Sequence, residues 1–183
     1  VIPVGKDSVS MSTKWGKNYS NEVKSPLSLI LSAFASIDDV NKYVTPYTNK
    51  NSQLFLVDLG RGKDRMGGSG LDQTLSITNH KSPNINKLDD LLNYYKFSQE
   101  LIRKNMLNAY HDRSDGGLIT TLIEMAFVSN MSVDLKNVSK KSKIKLIRFL
   151  FNEELGGIFA IDKKCQKEFI KLTEKYNLEA ITH

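Results

Sequence analysis

At 183 residues the chain has room for one ordinary domain, or one domain and the end of another, and its 40% hydrophobic and 25% charged content excludes a disordered chain. No apolar run approaches the ~18–20 residues that span a bilayer, and residues 1–7 lack a basic-then-apolar signal architecture, so a cytoplasmic protein with no membrane partner is expected. The net charge of +6 rests on 21 lysines scattered among asparagines, with only five arginines, and the densest run, Lys136 to Arg148, reads as a solvated face, so no nucleic-acid partner is expected.

The apolar start Val1-Ile2-Pro3-Val4, the polar Gly5 to Ser8 and the alternating Val9 to Ser12 read as strand, loop and strand. Asn18 to Lys24 reads as a polar connector. Pro26 then introduces Leu27 to Ala35, too short for a long helix and without helical period, which predicts a buried strand. Pro46 to Ser52 reads as a linker, with a domain boundary near residue 50, and Leu54 to Gly60 as the next buried strand. Met66-Gly67-Gly68-Ser69-Gly70 marks a helix start. Leu88, Leu91, Leu92, Tyr95 and Ile102 have the spacing of an amphipathic helix over 85–105. A strand from Leu107 leads into Asp112-Arg113-Ser114-Asp115-Gly116-Gly117, and apolar residues at Leu118, Leu122 and Met125 start a further helix. The rest reads as strand 131–135, helix 144–151, a turn at 152–157, strand 158–161, helix 164–176 and a last strand 180–182. Alternating strands and amphipathic helices predict a layered α/β or α+β fold. The single Cys165 can make neither an internal disulfide nor a thiolate cage and reads as an incidental thiol.

Three clusters carry groups suited to chemistry. Asp112, Ser114 and Asp115 stand before Gly116-Gly117 at a strand-to-helix junction, where free backbone N–H groups and the helix dipole favour an anion. Carboxylates beside a phosphate suit a Mg²⁺ ion bridging to it, with Asp112 the first candidate ligand; equally, Asp115 or Ser114 could be a plain helix cap. Gly5-Lys6-Asp7-Ser8 combines a cation, a carboxylate and a hydroxyl on a glycine-started loop, without the full pattern of a Walker loop. Glu153 and Glu154, before Leu155-Gly156-Gly157, could do acid–base or metal work or simply end a helix. No His/Cys metal set and no Ser-His-Asp set can be assembled.

Taken together, Ile2-Pro3-Val4-Gly5-Lys6-Asp7-Ser8, Ser25-Pro26-Leu27-Ser28-Leu29, Tyr110 to Leu118, Glu124-Met125-Ala126-Phe127 and Phe151 to Gly156 closely resemble, in order and spacing, the large bacterial-type phosphoribosylformylglycinamidine synthases. The resemblance implies an internal segment from the second pseudo-symmetric half of the synthase core, which a start without methionine would fit. It implies the end of an ATP-binding domain over residues 1–48. Residues 49–183 would then be the C-terminal-type domain of the aminoimidazole-ribonucleotide-synthetase-like superfamily, an α+β fold with a mixed sheet and packed helices. The family converts formylglycinamide ribonucleotide, ATP and ammonia to formylglycinamidine ribonucleotide in purine biosynthesis. Its ammonia comes from glutamine at a glutaminase domain of the same polypeptide.

By position the resemblance makes Asp112 a Mg²⁺ ligand and Ser114 an ATP contact. Gly5 and Ser8 match nucleotide- and substrate-touching positions, and Lys6 stands where shorter relatives have a metal-binding Asn, which suggests a phosphate contact. Asp7, Asp115, Gly116, Gly117, Glu153 and Glu154 would line the pocket. The family has a catalytic and an auxiliary nucleotide site, and the segment does not say which of them Asp112 serves. The glutaminase residues would lie outside these 183, so the segment alone is expected to be inactive. Two alternatives stay open: another ATP enzyme of the same superfamily, or a non-catalytic interaction module.

Overall fold

The computed structural model describes residues 11–24, 32–135 and 143–182, and the chain divides into two compact units, residues 1–40 and 41–183. In the first unit, β1 (Ser12–Trp15) and β2 (Asn21–Lys24) form an antiparallel hairpin in which Lys14 faces Glu22, with their charged ends 3.5 Å apart. Gly16 makes the turn at φ +89°, a left-handed value that glycine reaches without strain. Asn21–Lys24 was expected as connector; with Val23 its only apolar residue, its pairing comes from the turn, not from an apolar pattern. Of the strand expected over Leu27 to Ala35, residues 27–31 lie outside the described residues. The remainder, 32–35, is not strand, and Phe34 is 95% exposed. Hydrophobicity alone makes no strand where no neighbour offers a ladder.

The second unit is built on β3 (Ser52–Asp58), β4 (Leu107–Asp112), β5 (Gly156–Asp162) and β6 (Ala180–Thr182), side by side in the order β4-β5-β3-β6. Its helices are α1 (Gly70–Thr74), α2 (Leu88–Arg103), α3 (Gly117–Ser129), α4 (Lys143–Phe151) and α5 (Gln166–Lys175). The fold is α+β, as expected. The pairings among the described strands are all antiparallel, where a mixed sheet was expected. Register runs from Ser52 opposite Asp162 to Asp58 opposite Gly156, and a bulge interrupts β4 between Leu107 and Ala109.

Both faces of this sheet are covered. Phe55, Val57, Phe159 and Ile161 meet Phe97 and Leu101 of α2 and Phe169 and Leu172 of α5. Leu56, Ile158 and Ala160 meet Leu118, Leu122 and Met125 of α3 and Phe149 of α4. Alternate residues of β3 and β5 are therefore apolar on both sides, so each reads as a continuous hydrophobic run instead of the alternation of a one-sided antiparallel sheet. Burying a residue such as Phe159 contributes about 1.5–3 kcal/mol. Its ring also stands edge-on to Phe97 at 5.4 Å and to Tyr110 at 5.0 Å.

Two expectations change. The helix over 85–105 forms, but Leu88, Leu92 and Tyr95 are exposed, and its core face is Tyr94, Phe97 and Leu101 at i, i+3 and i+7. Residues 131–135, expected as strand, follow α3 without strand geometry; Val133 and Leu135 still pack on the α3 side of the core. The stretch read as a linker over 46–52 is tied down at Thr48, which is buried and whose N–H donates to Ser129 Oγ at 2.9 Å. No helix among the described residues is long and apolar enough to cross a membrane.

Where the first turn of α2 meets the loop after β3, Arg61 donates to both oxygens of Asp90, Nη2 to Oδ1 at 2.8 Å and Nε to Oδ2 at 3.2 Å. These hydrogen bonds, more than the bare charge, hold the Asp90 carboxyl below its ordinary value. A carboxyl depressed in the folded state contributes stability above its unfolded value and loses it as pH falls through its folded value. Asp90→Asn should thus be less stable than the parent in urea at neutral pH, and the gap should close in acid. A gap constant with pH would show that the ion pair contributes nothing.

Candidate functional site

β4 ends at Asp112, and the next residue turns inward. The Arg113 side chain is 1% exposed. Its Nη2 donates to Asp58 Oδ1 at 2.6 Å and Leu155 O at 3.2 Å, and its Nε donates to Glu154 O at 2.6 Å. Asp58 also accepts the N–H groups of Gly60 and Gly62, both at 3.0 Å. This one guanidinium pins the β4–α3 loop to the end of β3 and the start of β5.

Asp112, Ser114 and Asp115 on either side of it are exposed, and the Asp112 side chain is 65% exposed. The Asp112 backbone is held: its carbonyl accepts from Thr121 Oγ1 at 3.2 Å and lies 2.8 Å from His111 Nδ1, while His111 Nε2 lies 2.7 Å from Glu124 Oε2. The scaffold is fixed, and the carboxylate, mostly exposed, keeps one oxygen 3.5 Å from His111 Nδ1.

Neither Ser114 nor Asp115 caps α3 with its side chain. The cap position is Gly116, at φ +84°, and its N–H donates to Glu153 Oε1 at 2.9 Å. The same oxygen accepts the N–H of Gly70, at the start of α1, at 2.8 Å. Two helix N-termini meet on one carboxylate oxygen. The anion at the junction that looked shaped for phosphate is Glu153 itself, which suits the partial positive charge of both helices. Gly117, at φ +76°, lies so close to the end of α4 that a Cβ would stand 2.7 Å from the carbonyl oxygen of Asn152. Its conformation and this close approach explain the second glycine without a ligand.

Glu154 is also committed internally. It is 1% exposed, and Arg65 donates to it through Nε at 2.6 Å, Nη2 at 2.6 Å and its backbone N–H at 3.0 Å. The Glu154 carboxylate in turn holds the Arg65 guanidinium above its ordinary range, hydrogen bonding being the main cause. Asn152, fully buried, donates to Asp64 Oδ1 at 3.1 Å and to the carbonyls of Arg148 and Phe149, and accepts the Glu154 N–H at 3.1 Å. Behind the loop, burial pushes the Tyr94 hydroxyl well above its ordinary value; Tyr110, 3.0 Å away, is also raised by burial.

The structure thus brings the Asp112 loop and the Glu153-Glu154 turn together around Arg113, and gives the two glutamates structural partners. Gly5, Lys6, Asp7 and Ser8 lie outside the described residues. Arg113, Asp58, Arg65 and Asn152 were missed by the sequence reading. The usable signal was scarcity: in a chain that favours lysine, an arginine between Asp112 and Ser114 suggests a task needing its planar fork. Among the described residues no group of three or more His, Cys, Asp or Glu could hold a metal. Asp112 offers one mostly exposed carboxylate, one oxygen of which lies 3.5 Å from His111 Nδ1, and a lone carboxylate fits a Mg²⁺ ion that keeps waters and phosphate oxygens as its other ligands.

Comparison with known proteins agrees with this fold. The family model "AIR synthase related protein, C-terminal domain" matches residues 54–182, and "FGAR-AT PurM_N-like domain" matches residues 1–36. Among solved structures, Thermotoga maritima PurL complexed with ATP is similar at TM-score 0.54 and 8% identity, over 78% of this chain and 23% of that one. PurLQS from Thermotoga maritima is similar at TM-score 0.52 and 10% identity, over 78% and 23%. Phosphoribosylformylglycinamidine synthase II of the same organism gives 0.51 and 8%, over 76% and 22%. At such identities the structures support the fold, and the chain spans less than a quarter of each. The family match covers most of the chain, and the residues it covers hold the whole four-stranded sheet apart from the first two positions of β3: the chain belongs to the AIR synthase related protein family through its C-terminal domain.

Proposed function

We propose that the chain is a segment of an ATP-dependent ligase that converts formylglycinamide ribonucleotide, ATP and glutamine-derived ammonia to formylglycinamidine ribonucleotide. The observation that carries this reading is the order of the two family matches, an FGAR-AT PurM_N-like domain over residues 1–36 followed by the AIR-synthase-type C-terminal domain over 54–182. In this reading residues 1–48 close an ATP-binding domain and 49–183 form the C-terminal-type domain, within a longer cytoplasmic polypeptide whose glutaminase domain releases the ammonia.

The substrate amide oxygen takes the terminal phosphoryl group of ATP, releasing ADP; ammonia then adds at the activated carbon and phosphate leaves. Asp112 is the Mg²⁺ ligand and Ser114 a nucleotide contact, with Asp115 beside them. Gly5, Lys6 and Ser8 meet nucleotide and substrate phosphate, with Asp7 lining the pocket. A bound Mg²⁺ would neutralise charge on the phosphoryl oxygens. Exposure supports the division of labour: Asp112, Ser114 and Asp115 face solvent, whereas Arg113, Glu153 and Glu154 are used up in holding the loop.

The complete polypeptide containing this chain should form ADP only when formylglycinamide ribonucleotide and ammonia, or glutamine, are both supplied. The purified 183-residue chain should form none. ADP formation by the isolated chain, or turnover independent of formylglycinamide ribonucleotide, would overturn the reading.

A further inference from the structure

The motif Glu124-Met125-Ala126-Phe127 forms part of the resemblance, yet the proposed chemistry gives its one charged residue no task. Glu124 stands on α3 three residues after Thr121, so the two side chains share a face of the helix. Both lead to the same atom, the carbonyl oxygen of Asp112 at the end of β4. Thr121 Oγ1 donates to it at 3.2 Å, while Glu124 Oε2 lies 2.7 Å from His111 Nε2, and His111 Nδ1 lies 2.8 Å from the same carbonyl. The Asp112 backbone is thus fixed from α3 twice, once directly and once through an imidazole that is 15% exposed.

The partners of His111 define its form. A carbonyl and a carboxylate only accept, so both contacts are hydrogen bonds only when both ring nitrogens carry a hydrogen, which makes the ring a cation. Its Nδ1 also lies 3.5 Å from Asp112 Oδ1. A cation at that distance orients the carboxylate, but left alone it would repel a metal ion on the same oxygens. Glu124 cancels that charge on the far side of the ring. An ion pair with one partner 54% exposed contributes little to folding, so fold stability is a poor explanation of the arrangement.

We propose that Glu124 and His111 are positioning residues for the Asp112 carboxylate. His111 fixes its direction, and Glu124 fixes His111 and neutralises its charge beside the bound Mg²⁺. The inference rests on the ligase reading, which makes Asp112 the ligand of that ion.

Thermal unfolding of the complete polypeptide with ADP at rising Mg²⁺ tests it. The quantity read is the Mg²⁺ concentration at half effect, taken on the part of the shift that Asp112→Ala removes. Glu124→Leu should raise that concentration about 10–100-fold, the usual result of removing a partner that holds a metal ligand from behind. It should leave the unliganded unfolding temperature unchanged, because the side chain it replaces is exposed. Glu124→Gln, which still offers an oxygen to His111 Nε2, should fall between Glu124→Leu and the parent. With His111→Phe already in place, Glu124→Leu should have little further effect, since Glu124 acts through the ring. An unchanged Mg²⁺ requirement in Glu124→Leu, beside a shift that Asp112→Ala abolishes, would overturn this inference and leave the ligase reading standing. So would an equal loss in the His111→Phe background. A shift that Asp112→Ala leaves untouched would overturn the metal role of Asp112, and this inference with it.

Discussion

Arg113→Met should cost about 3–5 kcal/mol of folding stability, the usual cost of removing one partner from a buried ion pair, read as a lowered denaturant midpoint with unchanged slope. The argument lies in what is left behind. Asp58, 6% exposed, keeps the N–H groups of Gly60 and Gly62 but loses its hydrogen-bonded counter-charge. The carbonyls of Glu154 and Leu155 lose their donors in the same step. A loss of this size is a large share of the ~5–15 kcal/mol that holds a typical domain together. Arg113→Lys should recover little, since one ammonium cannot reproduce the guanidinium's reach to Glu154 O, Leu155 O and Asp58 at once. Asp58→Asn combined with Arg113→Met should cost less than the sum of the single changes, because the stranded charge is gone. A loss below about 1 kcal/mol in Arg113→Met, the scale of an exposed pair, would mean that the loop is held by its backbone alone.

The strands and helices of the second unit were legible where burial is symmetrical. β3 and β5 lie under helices on both faces, so every residue from Phe55 to Val57 and from Ile158 to Ile161 is apolar or alanine and the run is unmistakable. Reading failed where apolar residues stay at the surface. On α2 the exposed leucines at 88, 91 and 92 are as numerous as the core-face residues Tyr94, Phe97 and Leu101, so the pattern gave the helix correctly and its inner face wrongly. Residues 32–35 failed for a related reason: an apolar stretch carries no information about whether a partner strand exists. The direction of the pairings was equally invisible, because alternation of strands and helices does not distinguish antiparallel neighbours from parallel ones joined by crossovers.

In the candidate site, position was legible and role was not. The loop between β4 and α3 stands where the spacing put it. Its aspartates looked like ligands or caps and its glutamates like acid–base groups, yet capping is done by Glu153, which is 37 residues away in sequence. A cap supplied from so far along the chain leaves no local pattern. The same holds for Arg65 with Glu154, 89 residues apart. Residue types close in sequence announce chemistry, but only tertiary pairing shows which of them are already used, and in this loop it uses Arg113 and leaves Asp112.

That contrast sets the second large effect. In the complete polypeptide, Asp112→Ala should leave unliganded stability within about 0.5 kcal/mol of the parent, as for most exposed positions. Its side chain is 65% exposed, and the hydrogen bonds that hold it in place use its backbone carbonyl, which alanine keeps. Nucleotide with Mg²⁺ at 100 times its dissociation constant should stabilise the parent by about 2.7 kcal/mol, and Asp112→Ala should lose most of that shift. Without Mg²⁺ the two should respond alike, since the carboxylate acts on the nucleotide through the ion. Thermal unfolding of both proteins, with and without ADP and with and without Mg²⁺, separates these cases. An unchanged Mg²⁺-dependent shift would make the exposed carboxylate a surface group and the loop a connection held by Arg113. A lost shift would place ligand binding and fold stability on adjacent residues, Asp112 facing out and Arg113 facing in.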